Sequence, residues 1–178
     1  MTTVTTVPRA SSRAPLRPAL RKSLLALHLV ASIGWMGSDL GLMVLGWVGM
    51  RTSDPGLRRA AYLVLAPLGT WLAVPLSLLA LVTGILLGLG TRWGLFRYVW
   101  VVVSLVMTLA MVLLVFLVLN PSLHSAAHDA AHSAGGTPDA TARRQLIVAP
   151  TMAFLLLSTV TVINVFKPWG RIRRSEPA

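Results

Sequence analysis

The sequence predicts an all-α, polytopic membrane fold: a four-helix transmembrane bundle with both termini on the cytoplasmic side. Three observations carry that expectation. Hydrophobic residues make up 55% of the 178 and charged residues only 12%. Mean hydropathy is +0.74. Four separate stretches are long and apolar enough to cross a bilayer. A soluble domain carries about 25% charged residues, so this chain lacks the polar side chains needed to cover a water-facing surface.

About 20 apolar residues cover the hydrocarbon core. The four spans fall at about 24–48, 61–89, 98–119 and 146–166. The first, running from Ser23 to Met50, is too long for the apolar part of a signal peptide and ends at no small-residue cleavage site. It reads as a retained helix. The second contains Pro67 and Pro75, so a kink or tilt is expected, with neighbours satisfying the freed carbonyls. Residues 1–22, rich in Thr, Pro, Ser and Arg, read as a disordered basic cytoplasmic tail. The transmembrane domain then covers 23–167, and 168–178 form a second basic cytoplasmic tail. The longest connection, about 120–145, opens on Asn120-Pro121, carries a His-rich stretch and breaks at Gly135-Gly136-Thr137-Pro138.

Orientation follows the basic residues. With the N-terminus inside, the inner flanks hold Arg9, Arg13, Arg17, Arg21, Lys22, Arg92, Arg97, Lys167, Arg171, Arg173 and Arg174. The outer flanks hold only Arg51, Arg58, Arg59, Arg143 and Arg144. Trp93, Tyr98, Trp100 and Trp169 fall near inner span ends and Trp47 near an outer one, as interfacial aromatics do. The net charge of +11 is thus spread as topology signals between apolar runs, which is not the footprint of a nucleic-acid-binding surface. There is no Cys, which excludes disulfides, thiolate metal sites and Cys nucleophiles. No P-loop, G-x-S-x-G or H-E-x-x-H is present, so nothing supports a nucleotide-driven machine or a common hydrolase.

On the first helix, at 100° per residue, His28, Ser32, Trp35 and Asp39 share one stripe, while Gly34, Gly37 and Gly41 lie on the other side. Gly37 with Gly41, and Gly84 with Gly88 on the second helix, form G-x-x-x-G pairs that allow close backbone approach in lipid. Asp39 sits near mid-span with no Lys or Arg at matching depth. Such a carboxyl costs about 2.5–3.5 kcal/mol on the insertion scale and is a functional candidate by default. Its bland alternatives are a helix slid toward the outer interface, or a protonated side chain hydrogen-bonded to Thr70, Ser104 or Thr108. His28, one turn inside the cytoplasmic boundary, is the candidate cofactor residue: its ring could ligate haem iron or relay protons, or simply bond a neighbouring carbonyl. No other span holds a His, which argues against a bis-His haem within one chain. His124, His128 and His132, at i, i+4 and i+8, are candidate Zn²⁺ or Cu²⁺ ligands; a solvated loop with incidental histidines is the alternative. Met36, Met43 and Met50 recur every seven residues, as Cu(I) ligands or, more ordinarily, as packing material.

Leu27-His28, Gly34-Trp35-Met36-Gly37, Thr83-Gly84-Ile85, Gly90-Thr91-Arg92-Trp93-Gly94-Leu95-Phe96-Arg97-Tyr98 and Lys167-Pro168-Trp169-Gly170-Arg171 together resemble an uncharacterised family of predicted bacterial integral membrane proteins, a domain of unknown function. The likeness covers about 24–172 and implies four helices in a bacterial plasma membrane, with no activity attached. In layout alone the chain is similar to copper-resistance D-type proteins and to HemJ-type protoporphyrinogen oxidases, which also place Leu-His near a helix start ahead of Trp and Gly. The HemJ type implies a Lys on a later helix; Ser104 stands at the comparable place here, and only His28 carries over.

Three functions stay open. The first is a non-enzymatic accessory or interaction subunit, joined through its glycine stripes to a membrane partner or a second copy. The second is a haem- or copper-linked redox protein using His28. The third is a small proton-coupled transporter using Asp39.

Overall fold

The computed structural model describes residues 17–91, 95–132 and 137–170. Four long helices fill nearly all of it: the first Pro18–Arg51, the second Pro55–Gly90, the third Val99–His132 and the fourth Ala140–Phe166. Each is long and apolar enough to span a bilayer. The first packs against the second and the fourth, the second against the third, and the third against the fourth. The result is an up-and-down bundle with the first and third helices on a diagonal.

The helix ends are written in local chemistry. Pro18 and Pro55 occupy first-turn positions, where a missing N–H costs nothing. Asp54 caps the second helix by accepting from the Gly56 N–H at 2.8 Å. Asp139 caps the fourth by accepting from the Ala142 N–H. The fourth ends on Lys167, held in the left-handed region at φ 48° with its N–H on the Ile163 carbonyl.

All four helices start or end beyond the spans expected from the sequence. The first begins at Pro18, so 18–22 are helical where a disordered tail was expected, and the fourth begins at Ala140, inside the connection expected at 120–145. The rest of that tail, 1–16, lies outside the described residues, as do Arg92, Trp93 and Gly94, Gly135-Gly136, and Arg171, Arg173 and Arg174. The third helix runs on through Asn120-Pro121 to His132, where a loop was expected. Proline in a helix interior lacks a donor and its ring strikes the carbonyl four residues back. Here the turn before it is widened: Asn120, immediately preceding Pro121, donates its N–H to Val115, five residues back. The second helix uses the same device. Val74, immediately preceding Pro75, donates to Gly69, again five back. Both helices therefore carry one π turn, Gly69–Ala73 and Val115–Leu119, and continue past their prolines.

The core runs the length of the bundle. Trp35, Leu42, Tyr62, Leu65, Met111, Val115, Leu123 and Leu146 are essentially inaccessible. Outward, Val30, Ile33, Trp71, Leu117, Val165 and Phe166 stand exposed, the surface that lipid tails cover. Trp100 is buried and lies under the Lys167 ammonium, 5.8 Å from its ring centroid. It is therefore a packing residue, whereas Trp47 is 42% exposed.

Candidate functional site

Asp39 is fully buried, and neither carboxylate oxygen has a hydrogen-bond partner. One helical turn away, Trp35 is also fully buried, and its indole N–H is likewise unpartnered. Buried polar groups are normally satisfied, so two orphans on adjacent turns of one helix mark this position. The residues that could have neutralised Asp39 are engaged elsewhere. Ser104 donates to Asn164 Oδ1 at 3.0 Å, and Thr70 meets Asn120 Oδ1 at 3.4 Å and His124 Nε2 at 3.3 Å. Ser38, beside Asp39, donates to its own helix at the Trp35 carbonyl, 2.7 Å away. Thr108 is half-buried on the diagonally placed helix.

The depth of Asp39 follows from its helix's contacts. A Cβ on Gly34 would meet Leu76 at 3.1 Å, and one on Gly41 would meet Leu68 at 3.4 Å. Asp39 lies between them, level with the π turn Gly69–Ala73. π turns occur preferentially where helices are shaped for function. On one side of Asp39 the core is closed by the leucines Leu42, Leu65 and Leu146, all fully buried. On the other side Ala31, Ala73, Ser77, Ala80 and Thr83 are buried beside the larger Trp35, Met111 and Val115.

Further toward the Pro18 end stands His28. Its Nδ1 is 3.0 Å from the Ala80 carbonyl oxygen and 3.0 Å from Thr83 Oγ1. A carbonyl only accepts, so Nδ1 carries the proton and the neutral ring keeps Nε2 as its acceptor. Gly84 makes room for this ring: a Cβ there would lie 3.2 Å from His28 Cε1. His28 thus pins the first helix to the second.

His124, His128 and His132 lie on the third helix's extension, at the end of the bundle opposite His28. His124 turns to Thr70. His128 and His132 stack, their centroids 4.4 Å apart. His128 Nδ1 is 3.7 Å from Asp129, and His132 Nδ1 donates to the His128 carbonyl at 2.9 Å. Thr70 and Thr83, which touch His124 and His28, are thirteen residues apart on one helix, about 20 Å at 1.5 Å per residue. No second imidazole therefore approaches His28. Among the described residues no group of three His, Asp or Glu is arranged to hold a metal ion.

The four glycines of the two spaced pairs do different things. Gly41 and Gly84 serve contacts between the first two helices, and Gly88 makes room for Leu95. Gly37 faces open space. Three glycines outside those pairs also make close contacts. Gly46 lies on the Leu146 carbonyl, Gly49 on the Tyr62 ring, and Gly69 on Leu123, whose Cδ1 would be 2.1 Å from an added Cβ. Composition alone offered no signal for these, because the contact depends on how each helix is rotated.

At the end of the bundle where the fourth helix finishes, the start of the third helix meets the segment that follows Phe166. The Val99 N–H meets the Gly170 carbonyl at 3.4 Å, and Lys167 covers Trp100. The fold and these segments define an integral, multi-pass membrane protein. The chain belongs to the family of predicted integral membrane proteins DUF2269, which it matches over residues 22–168. No curated protein and no solved structure is significantly similar to it.

Proposed function

We propose that this chain is a small proton-coupled membrane protein in which Asp39 takes up and releases a proton within the bilayer. The observation that carries the reading is the fully buried, unpartnered carboxyl on a membrane-spanning helix. An intramembrane carboxylate is expensive and is kept where an ion or proton pathway needs it. Ser77, Thr83 and His28 supply polar groups between it and the Pro18 end, the direction from which a proton would reach it. By the basic residues of the flanks, the Pro18 end is cytoplasmic, and the membrane is a bacterial plasma membrane. The test is proteoliposomes with an entrapped pH indicator under an imposed pH gradient. The wild type should dissipate the gradient faster than Asp39→Asn at equal reconstitution. Equal rates would remove the proposal.

Gly37 favours a second reading, as an accessory subunit. Its face is open, between exposed Ile33 and Leu40, so another helix could approach its backbone closely. Crosslinking in native membranes through a Cys placed at Gly37 should then trap a partner or a second copy, and no crosslinked species would count against it.

A further inference from the structure

We infer that the bundle carries a specific site for an anionic phospholipid, in the groove between the end of the first helix and the start of the fourth. The groove has a volume of about 450 Å³. Its walls are Trp47 and Met50 from the first helix and Arg143, Arg144, Ile147 and Val148 from the fourth. It joins two guanidiniums to an apolar wall, and it holds no carboxylate. The nearest acid in sequence, Asp139, is turned to the Ala142 N–H as the helix cap.

Among the described residues no carboxylate pairs with the arginines of the groove. Arg143 is half-buried, with its Nε shielded and unpartnered. Arg144 is exposed and is engaged in no ion pair. A third cation, Arg51, stands over the Trp47 ring, 5.0 Å from its centroid. Behind Arg143, the Tyr62 hydroxyl is also buried without a partner. Arginine forks suit phosphate oxygens, and a buried donor without an acceptor is costly until one arrives.

The position selects the source of that phosphate. The groove lies at the ends of two spanning helices, where the headgroup layer meets the hydrocarbon. Ile147 and Val148 continue from the arginines toward the bilayer interior along the fourth helix, and Trp47 walls the other side. A headgroup phosphate on Arg143 and Arg144 therefore places its acyl chains along Trp47, Ile147 and Val148. A free phosphate would use the arginines and leave the apolar wall without a role. Basic pockets between spanning helices hold lipid headgroups on the same principle.

The experiment is tryptophan fluorescence of the full chain in vesicles containing phosphatidylglycerol or phosphatidylcholine brominated on the acyl chain near the headgroup. The wild type should be quenched by the anionic lipid with a preference of about fivefold or more, the effect of one arginine at a charged surface. The chain has six tryptophans, so the Trp47 signal is taken as the difference between wild type and Trp47→Phe; the preference in that difference should vanish in Arg143→Gln/Arg144→Gln, which removes the site. Arg144→Gln alone changes an exposed side chain and leaves packing intact, and it should lower the preference at least about twofold. Equal quenching by the two lipids, or an unchanged preference in Arg144→Gln, overturns the inference. Excess inorganic phosphate at constant ionic strength should leave the preference unchanged. Its loss would assign the arginines to free phosphate and overturn the lipid site.

Discussion

Gly46 of the first helix rests against the backbone carbonyl of Leu146 in the fourth, where an added Cβ would stand 3.1 Å from the oxygen. The contact has a cause four residues along the chain. Pro150 lies inside the fourth helix and offers no N–H to the Leu146 carbonyl, so that oxygen is free. Gly46 brings a backbone rather than a side chain against it.

A side chain at Gly46 should therefore separate the first and fourth helices. Gly46→Val is expected to destabilise the bundle by about 1–3 kcal/mol, the usual cost of overpacking. Unfolding in mixed micelles of increasing denaturing detergent measures it. An unchanged midpoint would show that the two helices do not need this approach.

The junction of the second and third helices should be tighter still. Leu123 occupies the space of a Gly69 Cβ, so Gly69→Ala should cost about 1–3 kcal/mol. Leu123→Ala creates the missing room, and the double variant should recover part of the loss. A double-mutant cycle reads the coupling, and strict additivity would rule out the contact.

The Asp39 carboxyl should weaken the fold that holds it. A buried polar group without partners costs about 1–3 kcal/mol, and replacement by an apolar group of similar size is often stabilising. Asp39→Leu is expected to raise the unfolding midpoint while abolishing proton uptake. A lower midpoint would mean that the carboxyl is held by interactions of its own.

His28 and Thr83 should be coupled. Hydrogen bonds between spanning helices average about 0.6 kcal/mol in double-mutant cycles. His28→Ala and Thr83→Val should each destabilise modestly, and the double variant should lose less than the sum. Additive losses would leave the 3.0 Å contact without energetic weight.

The four spans were legible because hydrophobic length is a one-dimensional signal. Asp39 stood out for a related reason: a lone carboxylate in an apolar run needs no alignment to be noticed. The continuation past Asn120-Pro121 was not legible. Asparagine followed by proline reads as a turn, and the π turn that lets the helix continue depends on backbone geometry that composition does not carry. The glycine pairs show a second limit. Their spacing was plain, but the two glycines of each pair meet different surroundings, since a helix's rotation is set by its neighbours. His28 was read with several roles open, and the Ala80 carbonyl, fifty-two residues away in the chain, supplied the local answer.

The third helix has 34 residues, about 50 Å at 1.5 Å per residue, against about 30 Å of hydrocarbon. Its final turns therefore stand clear of the lipid as a rigid mast, braced to the second helix where Arg59 donates to the Ala131 carbonyl at 2.9 Å. His128 and His132, on the last two turns of this mast, offer the protein a built-in compass. A membrane-impermeant imidazole reagent applied to intact cells, and then to inverted vesicles, reads which way the chain points without any engineered tag.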